Sequence, residues 1–350
     1  MKLNINQKFE LFSTCIPIKG ALRSIIYDLN RETFDYIPNA LFDILDEYSG
    51  KKIKEVLDDF HKDNYEILME YFDFLVEKEY IFFNDFETES FPDFPLHHNS
   101  PFQISNIIID VGDFTFKLLP SIYQQLEELG VEAVCFRFPN KNVHDKYFYK
   151  VLDVFCKSSC RTIEIMTVDN DLEEEQSFIE KYDEICLKNQ RIFRIHLFNA
   201  PKTKWYKLKK SVSHLFAYTN DLNLKSGHVV DRRNFAVNIK FFVEAQNHNV
   251  YYNRKVYIDE EGAIKQSPDC KETKLTSFGN ISNTRLNSVL NMKDFKEVWN
   301  VNKNDIKICK DCEYRYMCTD SRMPIKEENS DFYFFESDCN YDPFTATWKT

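Results

Sequence analysis

The sequence predicts an α/β protein of three successive units, and three observations carry that reading. From Ile104 onward, short runs of apolar and β-branched residues alternate with stretches of helical periodicity, the pattern of a parallel sheet with crossover helices. Ahead of this region stands a compact stretch reading strand, strand, three helices and strand. Behind it comes a cysteine-bearing tail, Cys309-Lys-Asp-Cys312-Glu-Tyr-Arg-Tyr-Met-Cys318, with Cys339 further on.

Composition sets the frame. The chain has 350 residues, 43% of them hydrophobic, with 32 Phe and 19 Tyr against only 7 Gly, so it can build ordered cores in two or three domains. No run of 18 apolar residues occurs, so no membrane span is expected. The start, Met1-Lys-Leu-Asn-Ile-Asn6, has no signal-peptide apolar region. Ten cysteines in such a chain point to a cytoplasmic location and to thiols or metal sites, not disulfides. A net charge of -11 opposes nucleic-acid binding, and the one basic run, Lys202 to Lys210, reads as a solvated face.

The first unit, residues 1–85, is α+β. Ser24–Tyr27 and Thr33–Ile37 are β-rich and joined by a polar turn at Asp28 to Arg31. Pro38-Asn39 opens a helix with Leu41, Ile44 and Leu45 at helical spacing, and Ser49-Gly50 ends it. Ile53, Val56, Leu57 and Phe60 mark a second helix. Tyr65, Leu68, Met69, Phe72, Leu75 and Val76 mark a third, before the strand Ile81–Phe83. This order is winged-helix-like. An acidic third helix (Glu66, Glu70, Asp73, Glu77) makes a poor match to phosphates.

Residues 86–101, rich in Pro and polar residues, read as a linker. The second unit, residues 102–245, holds strands at Ile107–Ile109, Val131–Phe136, Thr162–Val168 and Ile192–Leu197. Helices lie between them at Leu118–Leu129, Tyr147–Phe155 and Phe178–Leu187. Four or five such units fit, enough for a partial (β/α) barrel. Cys135 and Cys186 fall in apolar periodic segments and read as core. His196, on a strand, reads as a buried, hydrogen-bonded histidine. No phosphate-binding loop, dinucleotide fingerprint or nucleophile elbow is present.

The third unit, residues 246–350, opens with a hairpin from Val250–Ile258 through Asp259–Gly262 to Ala263-Ile264, followed by Cys270 and a helix near Leu286 to Trp299. Its C-x2-C-x5-C run is the most specific motif in the chain. Two thiolates two residues apart can grip one centre from a single turn, and zinc and iron–sulfur clusters both use such sets. Spacing leaves the two open, and the bland alternative is unrelated buried cysteines.

These residues carry a resemblance. Cys309 to Cys318 and Cys339-Asn-Tyr-Asp-Pro343, with Phe278-Gly-Asn-Ile281 and Phe295-Lys-Glu-Val-Trp299 upstream, resemble the SPASM domain of radical-SAM peptide maturases. The resemblance implies one [4Fe–4S] cluster on Cys309, Cys312, Cys318 and Cys339. The family's other cluster has lost ligands here, since Arg322 and Thr284 stand where it has cysteine, and Cys270 reads as a remnant. The first unit is similar to PqqD-type precursor-recognition domains, which implies peptide binding along a strand edge near Phe34 and Tyr36, with Met69 and Phe72 as groove wall. Over nearly its full length the layout resembles the SPASM-domain maturases of grasp-with-spasm systems. Cys15-Ile-Pro-Ile-Lys-Gly20, Arg23-Ser24 and Ile37-Pro38-Asn39 fit that family's opening. A ribosomal precursor peptide and an ATP-grasp ligase are the implied partners. The family's barrel carries C-x3-C-x2-C after its first strand. Here that loop, Asp110–Phe116, has no cysteine and Cys156-x3-Cys160 gives only half the motif, so no S-adenosylmethionine is expected. Whether the chain is a catalyst or an accessory factor stays open, with a zinc-stabilised adaptor as the alternative.

Overall fold

The structure is a computed structural model that describes residues 3–84, 94–97, 99–168, 175–222, 232, 235–268 and 277–349. Cys270 and most of the 86–101 linker lie outside the described residues.

The N-terminal unit runs β1 (Lys8–Leu11), β2 (Cys15–Ile18), β3 (Ser24–Asp28), β4 (Thr33–Ile37), α1 (Asn39–Tyr48), α2 (Ile53–Asp59), α3 (Tyr65–Glu77) and β5 (Ile81–Asn84). The three helices and the three strands read from the sequence fall where the sequence puts them. β1 and β2 are additional. β1 pairs antiparallel with β5, and β2, β3 and β4 form a separate antiparallel sheet in that order, leaving β4 on an edge. Every residue of β3 is buried, because both sheet faces are covered. Successive strand residues point to opposite faces. Ile26 joins the helices' core with Phe9, Leu41, Val56 and Phe72. Ile25 and Tyr27 join a second core with Phe242, Tyr314, Met317 and Tyr341. The small sheet is therefore a middle layer between its own helices and the C-terminal tail.

The central sheet gathers β6 (Asn106–Asp110), α4 (Asp113–Leu129), β7 (Ala133–Phe138), α5 (Lys141–Phe155), β8 (Thr162–Val168), α6 (Glu175–Lys188), β9 (Ile192–Phe198), β10 (Lys204–Lys207), β11 (His214–Ala217), α7 (Ile239–Asn247), β12 (Lys255–Ile258) and β13 (Ile264–Lys265). Eight strands are ordered β10-β11-β9-β8-β7-β6-β12-β13, parallel from β11 to β12 and antiparallel at both ends. The fold is thus mixed α/β around a large, mostly parallel sheet. One difference from the sequence reading is the place of β12. The hairpin of β12 and β13 forms as expected, but β12 lies parallel beside β6, so the sheet runs past residue 245. Ile107, Ile109, Phe136, Ile165 and Ile195 bury one face under α4, α5 and α6. Among the described residues no helix is long and apolar enough to cross a membrane.

The tail contributes α8 (Leu286–Leu290), α9 (Lys293–Glu297) and two small antiparallel strand pairs: β14 (Ile325–Lys326) with β15 (Tyr333–Phe334), and β16 (Tyr341–Asp342) with β17 (Thr347–Trp348). It has little regular structure of its own and leans on the two sheets.

Candidate metal centre

The cysteine turn is built on local backbone bonds. Residues Cys309–Asp311 form one 3-10 turn, and the Cys312 N–H closes it on the Cys309 carbonyl at 3.0 Å. Ile308, just ahead, has φ 69° and ψ −48°, a conformation L residues rarely adopt and β-branched ones least of all. Cys318 follows the turn Tyr314–Met317. Cys339 arrives from the opposite side, ahead of β16, and its sulfur accepts the Tyr341 N–H at 3.4 Å.

All four predicted cysteines line one cavity of about 410 Å³, its mouth included. They are free thiols. Burial pushes the Cys309 thiol up to about 11 and the Cys318 thiol up to about 12, with Lys303 pulling both back, and it raises Cys312 well above the ordinary thiol value. Thiols so placed lose protons when a metal takes them, which ties loading to folding. Among the described residues, the other cysteines do not converge here. Cys156 is exposed at the end of α5, while Cys15, Cys160 and Cys186 are buried elsewhere.

Three charged side chains on the cavity wall escaped the sequence reading as a group. Lys303 is 5% exposed and donates to Asp320 at 3.0 Å. Arg322 grips the same carboxylate with Nε at 3.0 Å and a terminal nitrogen at 2.8 Å. Arg322 also stands where the SPASM motif that the sequence resembles has cysteine. Nothing local in the sequence marks Lys303, which lies seventeen positions from its partner.

The N-terminal sheet is bonded to this centre. Arg23 donates to Glu313 at 2.8 Å and to the Tyr314 hydroxyl at 2.9 Å, and the Tyr341 hydroxyl donates to Glu313 at 2.5 Å. Arg315 donates to the Lys19 carbonyl at 2.6 Å. The hydroxyls of Tyr36 and Tyr314 are 2.7 Å apart.

The four residues expected to hold a peptide are divided by β4 itself. Phe34 and Tyr36 pair across the strands with Tyr27 and Ile25, so their side chains face Tyr314 and the cysteine tail. Met69 and Phe72 sit behind the other face. Phe72 is fully buried against Phe9 and offers no groove wall, and Met69 is only partly covered. Asp35 is the β4 residue that faces α3's end, where it accepts from Tyr80 at 2.7 Å and pairs with Lys78 at 2.9 Å.

A second polar cluster lies on the opposite face of the large sheet, where Asp110, Arg137 and Tyr257 are buried. Asp110 at the end of β6 receives a two-point bond from Arg137 on β7, at 2.5 and 2.7 Å, and a bond from the Tyr257 hydroxyl at 2.6 Å. His196 bonds Glu164 through Nε2 at 2.8 Å and Tyr218 through Nδ1 at 3.2 Å, so it is hydrogen-bonded as expected but only partly buried. Among the described residues, no three His, Cys, Asp or Glu side chains sit close enough to share a single metal ion.

No protein-family model and no curated protein matches the chain. Solved structures do. Native anSMEcpe with bound AdoMet matches at TM-score 0.39 and 10% identity, over 69% of this chain and 94% of that one. SuiB of Streptococcus suis bound to S-adenosylmethionine matches at TM-score 0.33 and 12% identity, over 95% and 99%. SuiB bound to its precursor peptide SuiA matches at TM-score 0.30 over the same shares. At these values residue roles have to be argued from this chain's own geometry. One expectation is corrected by the matches: the absence of S-adenosylmethionine was read from a single cysteine-free loop, Asp110–Phe116, yet the solved structures that this chain resembles hold that cofactor. Cysteine content alone does not decide whether such a molecule is bound.

Proposed function

We propose that this chain is a maturation factor for a ribosomally made peptide, binding the precursor through its N-terminal unit and holding one [4Fe–4S] cluster on Cys309, Cys312, Cys318 and Cys339. The observation that carries the proposal is the gathering of those four sulfurs around one cavity, a set of soft ligands suited to iron–sulfur clusters. When bound, such a cluster exchanges single electrons with its surroundings. Cys309 and Cys312 would grip it from the turn, Cys318 from the following segment, and Cys339 from the far wall. The Tyr341 N–H is placed to donate to a ligand sulfur.

Peptide recognition rests on β4. It is an edge strand with no strand on its outer side among the described residues, so its backbone can take an added strand. Asp35 and Lys78 supply charges of both signs beside that edge. The SuiB match with SuiA supports a peptide partner, and the grasp-with-spasm resemblance supports an ATP-grasp ligase beside it. Isothermal titration of the anaerobically reconstituted full chain against synthetic peptides, made from short reading frames beside its gene, is the test. Saturable binding that is lost in a Thr33→Pro, Asp35→Pro double variant is expected, because proline removes strand N–H donors. Absence of binding by the parent protein would overturn the recognition role.

A further inference from the structure

The cavity that gathers the cysteines is walled by an excess of fixed positive charge. Lys303 and Arg322 line it against one carboxylate, Asp320, leaving one positive charge uncompensated, while Arg315, a third cation on the wall, is bonded to the Lys19 and Cys312 carbonyls. Glu313 does not offset the excess, since it faces Arg23 and Tyr341 behind the wall. Asp320 is 1% exposed and Arg322 16% by side chain, so two of the three cations and their common anion are shielded from water. Lys303 and Arg322 also lie over one ring, Phe335, at 4.7 and 4.2 Å from its centre, and Arg322 donates to the Ser337 carbonyl. Burying charge without a partner is costly, and a frame held this firmly in net positive form calls for an anionic occupant. A thiolate-ligated cluster is one, and each added electron makes it more negative.

We propose that Lys303 and Arg322, pinned by Asp320, set the reduction potential of the centre and make it an electron-transfer site. This rests on the reading that the four cysteines hold a [4Fe–4S] cluster. The step is a reversible one-electron exchange: an external one-electron donor is oxidised, the cluster core is reduced, and no bond forms or breaks. Both cations stabilise the reduced form more than the oxidised one, and Asp320 does the reverse. Arg315 is turned outward to the carbonyls of Lys19 and Cys312, which assigns it to docking the N-terminal sheet.

The test is an anaerobic potentiometric titration of the reconstituted full chain, followed by absorption and electron paramagnetic resonance, with iron and sulfide measured on every sample first. Lys303→Met and Arg322→Gln should each weaken reduction by about tenfold or more, which is 59 mV for one electron. Asp320→Asn should shift the potential the opposite way. Lys307→Met, which removes an exposed cation paired with Glu327, should leave it unchanged because water and salt screen that charge. Potentials of Lys303→Met and Arg322→Gln within about threefold of the parent's equilibrium constant, or an Asp320→Asn shift in the same direction as theirs, would overturn the assignment. Loss of iron from all three variants with the parent loaded would also overturn it, in favour of a purely structural frame. A parent that takes up no iron would instead refute the cluster itself.

Discussion

Ile308 holds a backbone conformation that its own side chain opposes. Its φ of 69° precedes Cys309 directly, and the residue is 50% exposed. The unfavourable geometry is retained at the point where the chain must turn into the first cysteine. Ile308→Gly should therefore raise stability by about 1 kcal/mol in chemical denaturation. A loss of the same size would show that the isoleucine's contacts matter more than its backbone. Asp183 on α6 is a different kind of residue-scale device. It is buried and accepts the N–H groups of Lys209, Lys210 and Ser211, each at 2.9 Å. Burial pushes its carboxyl pKa upward, but the three donors outweigh that and hold it below the ordinary value. A depressed folded pKa stabilises the protein fully above roughly pH 4, and the gain is lost as pH falls through the lower folded value. Asp183→Asn should cost about 1–2 kcal/mol at pH 7, and the gap to the parent should narrow in acid. Urea midpoints at neutral pH and near pH 3 decide it, and a gap that does not change with pH would contradict the account.

At the scale of elements, the contact between the β2–β4 sheet and the cysteine turn is the joint on which the proposed function depends. Gly20 is there because nothing larger fits: a Cβ would lie 2.4 Å from the Arg23 carbonyl oxygen and 3.0 Å from the Glu313 Cβ. Arg23 then reaches Glu313, whose side chain is 1% exposed. Arg23→Ala removes that carboxylate's cationic partner and leaves the Tyr341 hydroxyl donating to it, so a cost of about 3 kcal/mol is expected. Tyr36→Phe, which removes one hydroxyl contact with Tyr314, should cost about 1 kcal/mol. Denaturation with hydrogen exchange at β3 and β4 checks both, and an Arg23→Ala protein as stable as the parent would contradict the joint. Much of the element layer was legible in the sequence. Ile107–Ile109 and Thr162–Val168 announce strands by β-branched runs, and Leu41, Ile44 and Leu45 announce a helix face. β1 and β2 were not legible, being four residues each, with Pro17 inside β2. The orientation of Phe34 and Tyr36 was not legible either, since an alternating strand covered on both faces gives no sign of which face meets which partner.

For the whole molecule, long-range pairing decides what local pattern cannot. The chain's beginning and end meet, as residues 15–37 pack on the segment after Cys309, and β12 returns to lie beside β6. The cysteine set was readable because three of its members share one short run, with Cys339 added by resemblance. Lys303 and Asp320 were not, because a buried ion pair leaves no periodic trace in sequence. The account's central claim is that Cys309, Cys312, Cys318 and Cys339 hold one iron–sulfur cluster. Iron, zinc and acid-labile sulfide analysis of the anaerobically reconstituted chain, beside a Cys339→Ala variant, tests it most directly. The account predicts about four iron and four sulfide per chain in the parent and a clear loss of both in the variant. One zinc per chain, with neither iron nor sulfide, would contradict it.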